Sequence, residues 1–499
     1  MASPMTRPRS FNSTVPFFLV AALFLSLFFF CSRLRAQEIS ASQSGVTNTI
    51  NSSSLANKND LNENDFDEND IIEPDANTEA SVRDFTPWQE GSTALGDWGG
   101  YRTNLAKKGI EIGLSAVEEA WGNTVGGLKR GAVATGLIQL ATAVDLEKLM
   151  QWKGASFYSR WACITGQDPG TTLTGDLFGV SNIAGLDTFR NIELWGQQNF
   201  LEDKISIRAG QIVADSEFAI SDYAALFINN TFGWPAFLFL SVPNGGPAYP
   251  MGAPGIRVKL QPTESFSLKA AVFQGVYAQT VNTHGFYWDF NQEDGLFYIG
   301  EAAYRYKCSD LPGQVKAGAW GSSGSFINQA NPSNSFDNDY GIYGIIDQML
   351  YRQPAASDKN VAEDKKVMPS GDDKKVVEPA SDLGLGAFAR VAFEPADRNL
   401  MTFYFDTGFN YKGLLPKRES DVFGVAMTYG AMSSSGINNI QQSQGTAPAL
   451  MNMIFEMTYQ AQITPFLSIQ PNIQYIIHPG TVQNLPNALV LGIRASVTF

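Results

Sequence analysis

At 499 residues with a formal net charge of −14, the chain carries none of the basic excess that nucleic-acid phosphates demand, which excludes nucleic acid as a partner. Hydrophobic residues make up 44% and aromatic residues 12%, yet beyond the leader-like start no uncharged apolar run approaches the ~20 residues of a membrane helix. Dispersed apolar residues together with 46 glycines suit many short strands joined by turns. The three cysteines, Cys31, Cys163 and Cys308, exclude a disulfide framework, although one bridge between the last two stays open.

Arg7 and Arg9 precede an uncharged stretch from Val15 to Phe30, and Leu34-Arg35-Ala36 offers a small residue before Gln37. Residues 1–36 read as a secretory signal peptide, with an uncleaved anchor as the alternative. Phe28-Phe29-Phe30 lacks the small residues that lipoprotein processing at Cys31 would need. From Gln37 the chain is rich in Asn, Ser, Asp and Glu, as in the run Asn62 to Asp70, so 37–93 is expected to be a disordered acidic segment. A second biased stretch, 354–380, nearly repeats Glu363-Asp364-Lys365-Lys366-Val367 as Asp372-Asp373-Lys374-Lys375-Val376 and reads as a flexible insertion.

Between these stretches, apolar and polar residues alternate over about ten positions, the length a tilted strand needs to cross a bilayer. The last segments are clearest. Met451, Met453, Phe455, Met457 and Tyr459 alternate with polar residues; so do Leu467, Ile469, Ile473, Tyr475 and Ile477, where Pro471 and Ile476 are exceptions. The final set runs from Leu489 to Phe499, and an apolar-alternating strand ending on Phe is what outer-membrane assembly commonly selects. Segments start near 110, 136, 154, 189, 204, 253, 266, 296, 313, 340, 383, 399, 421, 450, 466 and 488. The expected fold is therefore all-β, a sixteen-stranded antiparallel transmembrane β-barrel over 94–499, in the outer membrane and in contact with its lipid. With a periplasmic C-terminus, strand parity places 213–252 outside the cell and both the turn at Gln261 to Glu264 and the 354–380 insertion inside.

Leu95-Gly96-Asp97-Trp98-Gly99-Gly100-Tyr101-Arg102 resembles the opening motif of the OprB-type carbohydrate-selective porins. Further segments follow in that family's order: Leu194 to Gln198, Ile207 to Gln211, Asp222 to Asn229, Phe232 to Pro235, Gly246 to Pro250, Asp397 to Leu400 and Thr458 to Gln462. The resemblance covers roughly Ala94 to Phe499. It implies a passive channel for monosaccharides and small oligosaccharides, compatible with a homotrimer. The acidic N-terminal stretch and the 354–380 insertion depart from the family pattern.

A sugar channel needs lumenal donors and acceptors that bind weakly, since a tight site would slow exit. Strand alternation points Arg160, Glu193, Arg208, Arg257, Lys259, Glu301, Arg305, Arg390, Asp406, Glu456 and Arg494 inward. From these, Arg160, Glu193, Arg208, Glu301, Arg305, Arg390 and Asp406 are the expected sugar-contacting set, with the first three at its centre. Trp234, Tyr223 and Phe232 could stack on a sugar ring or simply pack a loop against the wall, while Phe403, Phe405, Phe409 and Tyr475 are expected to face lipid. His284 and His478, the two histidines, have no nucleophile or metal-ligand spacing beside them, so neither enzyme chemistry, metal nor cofactor is expected. Two other functions stay in view: a barrel that anchors the envelope through residues 37–83, and a barrel enzyme such as a lipase.

Overall fold

Alternating segments of this length bury one face only if the sheet closes, and closure is what the chain achieves. The computed structural model describes residues 91–276, 284–290, 294–354, 382–438, 449–481 and 484–499, and these contain sixteen strands in one closed antiparallel barrel. The first four are β1 (Ile110–Val125), β2 (Gly131–Asp145), β3 (Ala155–Gly166) and β4 (Thr188–Phe200). Next come β5 (Ile205–Ile212), β6 (Ala253–Thr263), β7 (Phe266–Gln274) and β8 (Leu296–Cys308). Then follow β9 (Leu311–Ile327), β10 (Ser335–Arg352), β11 (Gly384–Phe393) and β12 (Met401–Lys412). The last are β13 (Val422–Met432), β14 (Met451–Thr464), β15 (Leu467–Ile477) and β16 (Ala488–Thr498). The leader, the acidic segment up to residue 90 and nearly all of the 354–380 insertion lie outside the described residues. Near the start of the described residues, Arg102 Nη1 donates to Thr93 Oγ1 at 2.7 Å.

Most strand starts fall within two residues of those read from the sequence, but β2 and β10 begin earlier, at Gly131 and Ser335 rather than near 136 and 340. In β2 the first residues, Gly131-Ala132-Val133-Ala134, are small and offer little polarity contrast, although their hairpin with β1 already runs from Asn123↔Gly131. In β10 a register shift between Phe336 and Asn338 breaks the two-residue period. Elsewhere the pattern holds. Glu456 and Thr458 of β14 are buried inside while Phe455 and Met457 are exposed outside, and Phe409 and Tyr475 likewise face outward. Ile476, an exception in the alternation, faces inward and is fully buried in an apolar cluster inside the barrel.

Two-residue turns at Glu264-Ser265 and Ser309-Asp310 join strands at one rim, which also receives Gly91 and Phe499 and both ends of the 355–381 stretch. The long connection 213–252 leaves from the opposite rim. It then folds back into the lumen, which leaves β5 only eight residues long and the upper part of β4 without a neighbour. Residues 284–290, between β7 and β8, cover that gap: Asn191 N–H donates to His284 O at 2.9 Å and Trp288 Nε1 to Gln211 Oε1 at 2.9 Å. Gly285 takes φ +95° there, and a Cβ would lie 2.0 Å from Asn191 O.

The barrel is sealed where β16 meets β1, from Ser115↔Thr498 to Val125↔Leu489. Helix α1 (Tyr101–Lys107) sits against this seam with the Arg102 guanidinium 4.2 Å from the Trp98 ring and Arg102 Nη2 donating to the main-chain oxygen of Phe499 at 2.6 Å. Arg102→Ala removes these bonds at once, and charge-assisted hydrogen bonds contribute about 1.5–3 kcal/mol. The expected outcome is a barrel that still folds but converts to the slow-migrating, unfolded band at a temperature several degrees lower in unboiled gel electrophoresis. An unchanged conversion temperature would mean that the seam does not depend on this clasp.

Candidate functional site

Two connections fold into the lumen: 167–187, between β3 and β4, and 213–252, between β5 and β6. Their apolar side chains explain why they stay there. Phe178, Phe227, Phe232 and Phe237 are buried against wall aromatics, with Phe237 5.6 Å from both Tyr343 and Tyr404 and Phe227 6.0 Å from Phe388, and Phe218 is buried beneath the Lys269 ammonium. Burial of each such side chain contributes roughly 1.5–3 kcal/mol, so the barrel has an apolar core on its inside. The two segments also bond to each other, Asn182 N–H to Ile228 O at 3.0 Å and Asn230 N–H to Gly179 O at 2.9 Å.

Main-chain groups buried in this way need partners, and the inward polar residues of the wall supply them. Glu301 Oε2 accepts from Ala219 N–H at 2.9 Å and from the Tyr343 hydroxyl at 2.9 Å. Arg390 donates to Ala219 O at 3.0 Å and Thr231 O at 2.9 Å, and its Nε donates to Asp406 at 3.0 Å. Glu456 accepts from Ile228 N–H at 2.7 Å and Asn229 N–H at 3.0 Å. Lys316 Nζ donates to Ile220 O at 2.8 Å, and Gln470 Nε2 to Leu226 O at 2.8 Å. Segment 213–252 is thus strapped across the lumen from β8 to β15.

A charge cluster occupies the wall of β3 to β6. Arg160 and Glu193, cross-strand neighbours on β3 and β4, pair at 2.9 Å, and Arg160 also donates to Gln139 Oε1 at 3.3 Å. Glu193 accepts from Trp195 Nε1 at 3.1 Å. The Arg208 guanidinium lies 3.6 Å from the Trp195 ring centroid, and the Tyr158 ring stacks on Trp195 at 5.1 Å. Arg208 and Arg257 converge on Glu217 of the inserted segment at 2.9 and 2.7 Å, and both donate to Gln197 Oε1. Burial alone would push the Glu217 carboxyl up, but Arg208 and Arg257, helped by Lys269, outweigh it and hold its pKa below the usual carboxylate range.

The structure therefore brings Arg160, Glu193 and Arg208 together around Trp195. Glu301, Arg390 and Asp406 also face inward and are as buried as that trio; Glu301 and Arg390 bond the backbone of segment 213–252, and Asp406 holds Arg390 and the Tyr404 hydroxyl. Arg305 stands apart, half-buried near the rim of the short turns. Trp234 and Phe232 pack the inserted segment, Trp234 Nε1 donating to Gly245 O at 2.8 Å, whereas Tyr223 is only half-buried. Glu217, Trp195 and Gln197 were not singled out from the sequence as site residues. Glu217 lies in a connection, where no alternation assigns a direction. Among the described residues no group of three His, Cys, Asp or Glu side chains could hold a metal ion, and Cys163 and Cys308 are free.

Comparison with known proteins bears directly on this arrangement. Residues 129–499 match the model of the family described as "Carbohydrate-selective porin, OprB family". Porin B of Pseudomonas aeruginosa is 23% identical over 438 residues, 81% of this chain and 91% of that protein. The putative porin QuiX of Acinetobacter baylyi is 22% identical over 434 residues, 82% of this chain and 94% of the relative. Among solved structures, the high-pH form of Pseudomonas putida OprB superposes with a TM-score of 0.71 at 22% identity, covering 83% of this chain and all of that one.

The inserted segments also contain a pH-sensitive contact. Asp176 accepts from Asn452 Nδ2 at 3.0 Å, and burial raises its pKa to about 6 despite that bond and those from Phe178 and Gly179. A released, solvated segment would return it to about 3.9. The docked form therefore holds the extra proton between these values, and docking weakens as pH rises from about 4 through about 6. Hydrogen-exchange protection of residues 170–182, corrected for intrinsic rates, is expected to fall over that window and to become flat in Asp176→Asn. A flat profile in the unaltered protein would contradict this.

Proposed function

The chain belongs to the carbohydrate-selective porin (OprB) family and is an outer-membrane channel for sugars, and from that premise we propose that monosaccharides and small oligosaccharides pass an eyelet whose selectivity is set by Arg160, Glu193 and Arg208. The observation that carries this reading is the pairing of every charge in the cluster around Trp195 with a partner of opposite sign or a hydrogen-bond acceptor. A neutral solute gains hydrogen bonds along such a wall. An ion meets both signs and gains little net attraction.

Half-buried Gln197, Lys259, Arg305 and Arg494 extend the polar lining towards the lumen. In this reading Glu301 and Arg390, which bond the backbone of segment 213–252, and Asp406, which holds Arg390, act on sugar indirectly, by fixing how far that segment narrows the passage. The rim with the short turns faces the periplasm, and the barrel assembles as a homotrimer. Sugars move down their gradient without covalent chemistry, so the protein is a channel and not an enzyme.

Replacing Arg160 and Arg208 by alanine tests the eyelet. Loss of about a kcal/mol per hydrogen bond weakens sugar binding by roughly five- to tenfold. Release of Glu217 from Arg208 should also loosen the inserted segment, because removing one partner of a buried pair leaves the other uncompensated. The expected result in planar-bilayer recordings is higher ion conductance with weaker block by sugar, and in liposome swelling a relaxed size limit, while the barrel remains heat-modifiable. Unchanged block and size limit would place the selective residues elsewhere.

A further inference from the structure

One buried guanidinium among the described residues is left without a partner. Arg160 pairs with Glu193, Arg208 and Arg257 share Glu217, and Arg390 holds Asp406. Arg190, near the start of β4, keeps only 4% of its surface accessible, yet no hydrogen bond or ion pair reaches it among the described residues. Its Nε is sealed off, which leaves the fork of Nη1 and Nη2 as the end that a solute can reach. A charge buried in this way destabilises the fold unless something pairs with it.

Strict alternation would not put Arg190 in the lumen. Counted from inward-facing Glu193, three positions along, it would face lipid. A β-bulge reverses this: Arg160 faces Glu193 but Trp161 faces Asn191, so Ile192 is an extra residue and Arg190 lies opposite inward-facing Ala162. Arg190 and Glu193 thus share one lumen, and their partners Ala162 and Arg160 are two residues apart, about 7 Å of strand. Arg190 is the one nearer the rim from which connections 167–187 and 213–252 leave. Ala162 and the Tyr249 phenol, which both face Arg190, belong to an apolar cluster with Ile164, Ile183, Ile192 and Val213. Tyr249 is itself tied down, its hydroxyl donating to Ile183 O at 2.7 Å, and among the described residues no carboxylate faces the guanidinium.

We infer that Arg190 is a binding site for the carboxylate of a sugar acid, a monosaccharide with one anionic end. The missing partner then arrives with the solute. A guanidinium fork matches a carboxylate with two parallel hydrogen bonds, and apolar walls strengthen the attraction. A cation would be repelled here, and a neutral sugar would leave the charge unpaired. A simple anion would leave the hydrogen-bonding groups of the Arg160 and Glu193 cluster unused, whereas a sugar acid brings hydroxyls to that cluster from the same ring that carries its carboxylate. The inference rests on the sugar-channel reading and widens its substrate class from neutral to anionic monosaccharides.

The test uses the full chain in planar bilayers, with glucuronate as the probe. Glucuronate is expected to block the unaltered channel about tenfold more tightly than glucose or its own neutral methyl ester, and with longer closures. Arg190→Gln should bring glucuronate down to the level of glucose. Arg190→Lys, which keeps the charge but not the fork, should retain part of the advantage. Heat-modifiability confirms that each variant is a folded barrel, and should Arg190→Gln fail to assemble, acid against ester in the unaltered and Arg190→Lys channels still decides. Equal block by acid and ester, or a full advantage surviving Arg190→Gln, would overturn the inference. So would acetate blocking as tightly as glucuronate, which would leave an anion site only, or tighter block by glucose 6-phosphate, which would make the ligand a phosphate. An unaltered protein that forms no channel or admits no glucose would instead contradict the channel reading itself.

Discussion

Every main-chain N–H and C=O in a lipid-facing wall must find its partner within the protein, and that constraint shapes the rest of the structure. A sheet meets it only by closing, so the pairing of β16 with β1 is what allows the other strands to sit in the membrane. Closure also settles which residues go where. With one face in lipid, the two-residue period of the strands sends polar side chains inward, and a one-residue slip anywhere would reverse that assignment.

The same requirement reappears inside the barrel. Segment 213–252 enters the lumen because its phenylalanines are better buried than exposed, but entry strips water from its backbone. Two carboxylates, the Arg390 guanidinium, the Lys316 ammonium and the Gln470 amide of β8 to β15 replace that water group by group, at Ala219, Ile220, Leu226, Ile228, Asn229 and Thr231. Much of the charge in the lumen is therefore committed to holding the constriction in place. The cluster of β3 to β6 anchors the same segment through Glu217.

This division explains how far the sequence could be read. The alternation in β14, β15 and β16 revealed the barrel, and the same period aimed Arg160, Glu193 and Arg208 at one lumen. Parity gives direction but not depth, so it could not show that Arg160, Glu193, Arg208, Glu301, Arg390 and Asp406 are all nearly fully buried, with Glu301 and Arg390 bonded to a folded-back connection. It was also silent on Glu217, because a residue in a long connection has no period to follow and its partners Arg208 and Arg257 lie on other strands. Gly131 to Thr135 in β2 were missed for a simpler reason: small residues of similar polarity carry hardly any alternation, and the hairpin with β1, not the local pattern, makes them a strand.

Pairing of charges also bears on how a polar passage can be selective without holding its cargo. A single unpaired arginine in a narrow, poorly solvated lumen would attract anions strongly and release them slowly. Set against Glu193 or Glu217, the guanidiniums of Arg160, Arg208 and Arg257 are held in place with much of their long-range field offset, and Trp195 is bonded to Glu193 and packed under Arg208. What remains is short-ranged and directional, and such contacts favour a solute that carries many hydroxyls and no charge. Each contact is weak enough to exchange quickly, so passage does not require the site to be either empty or tight.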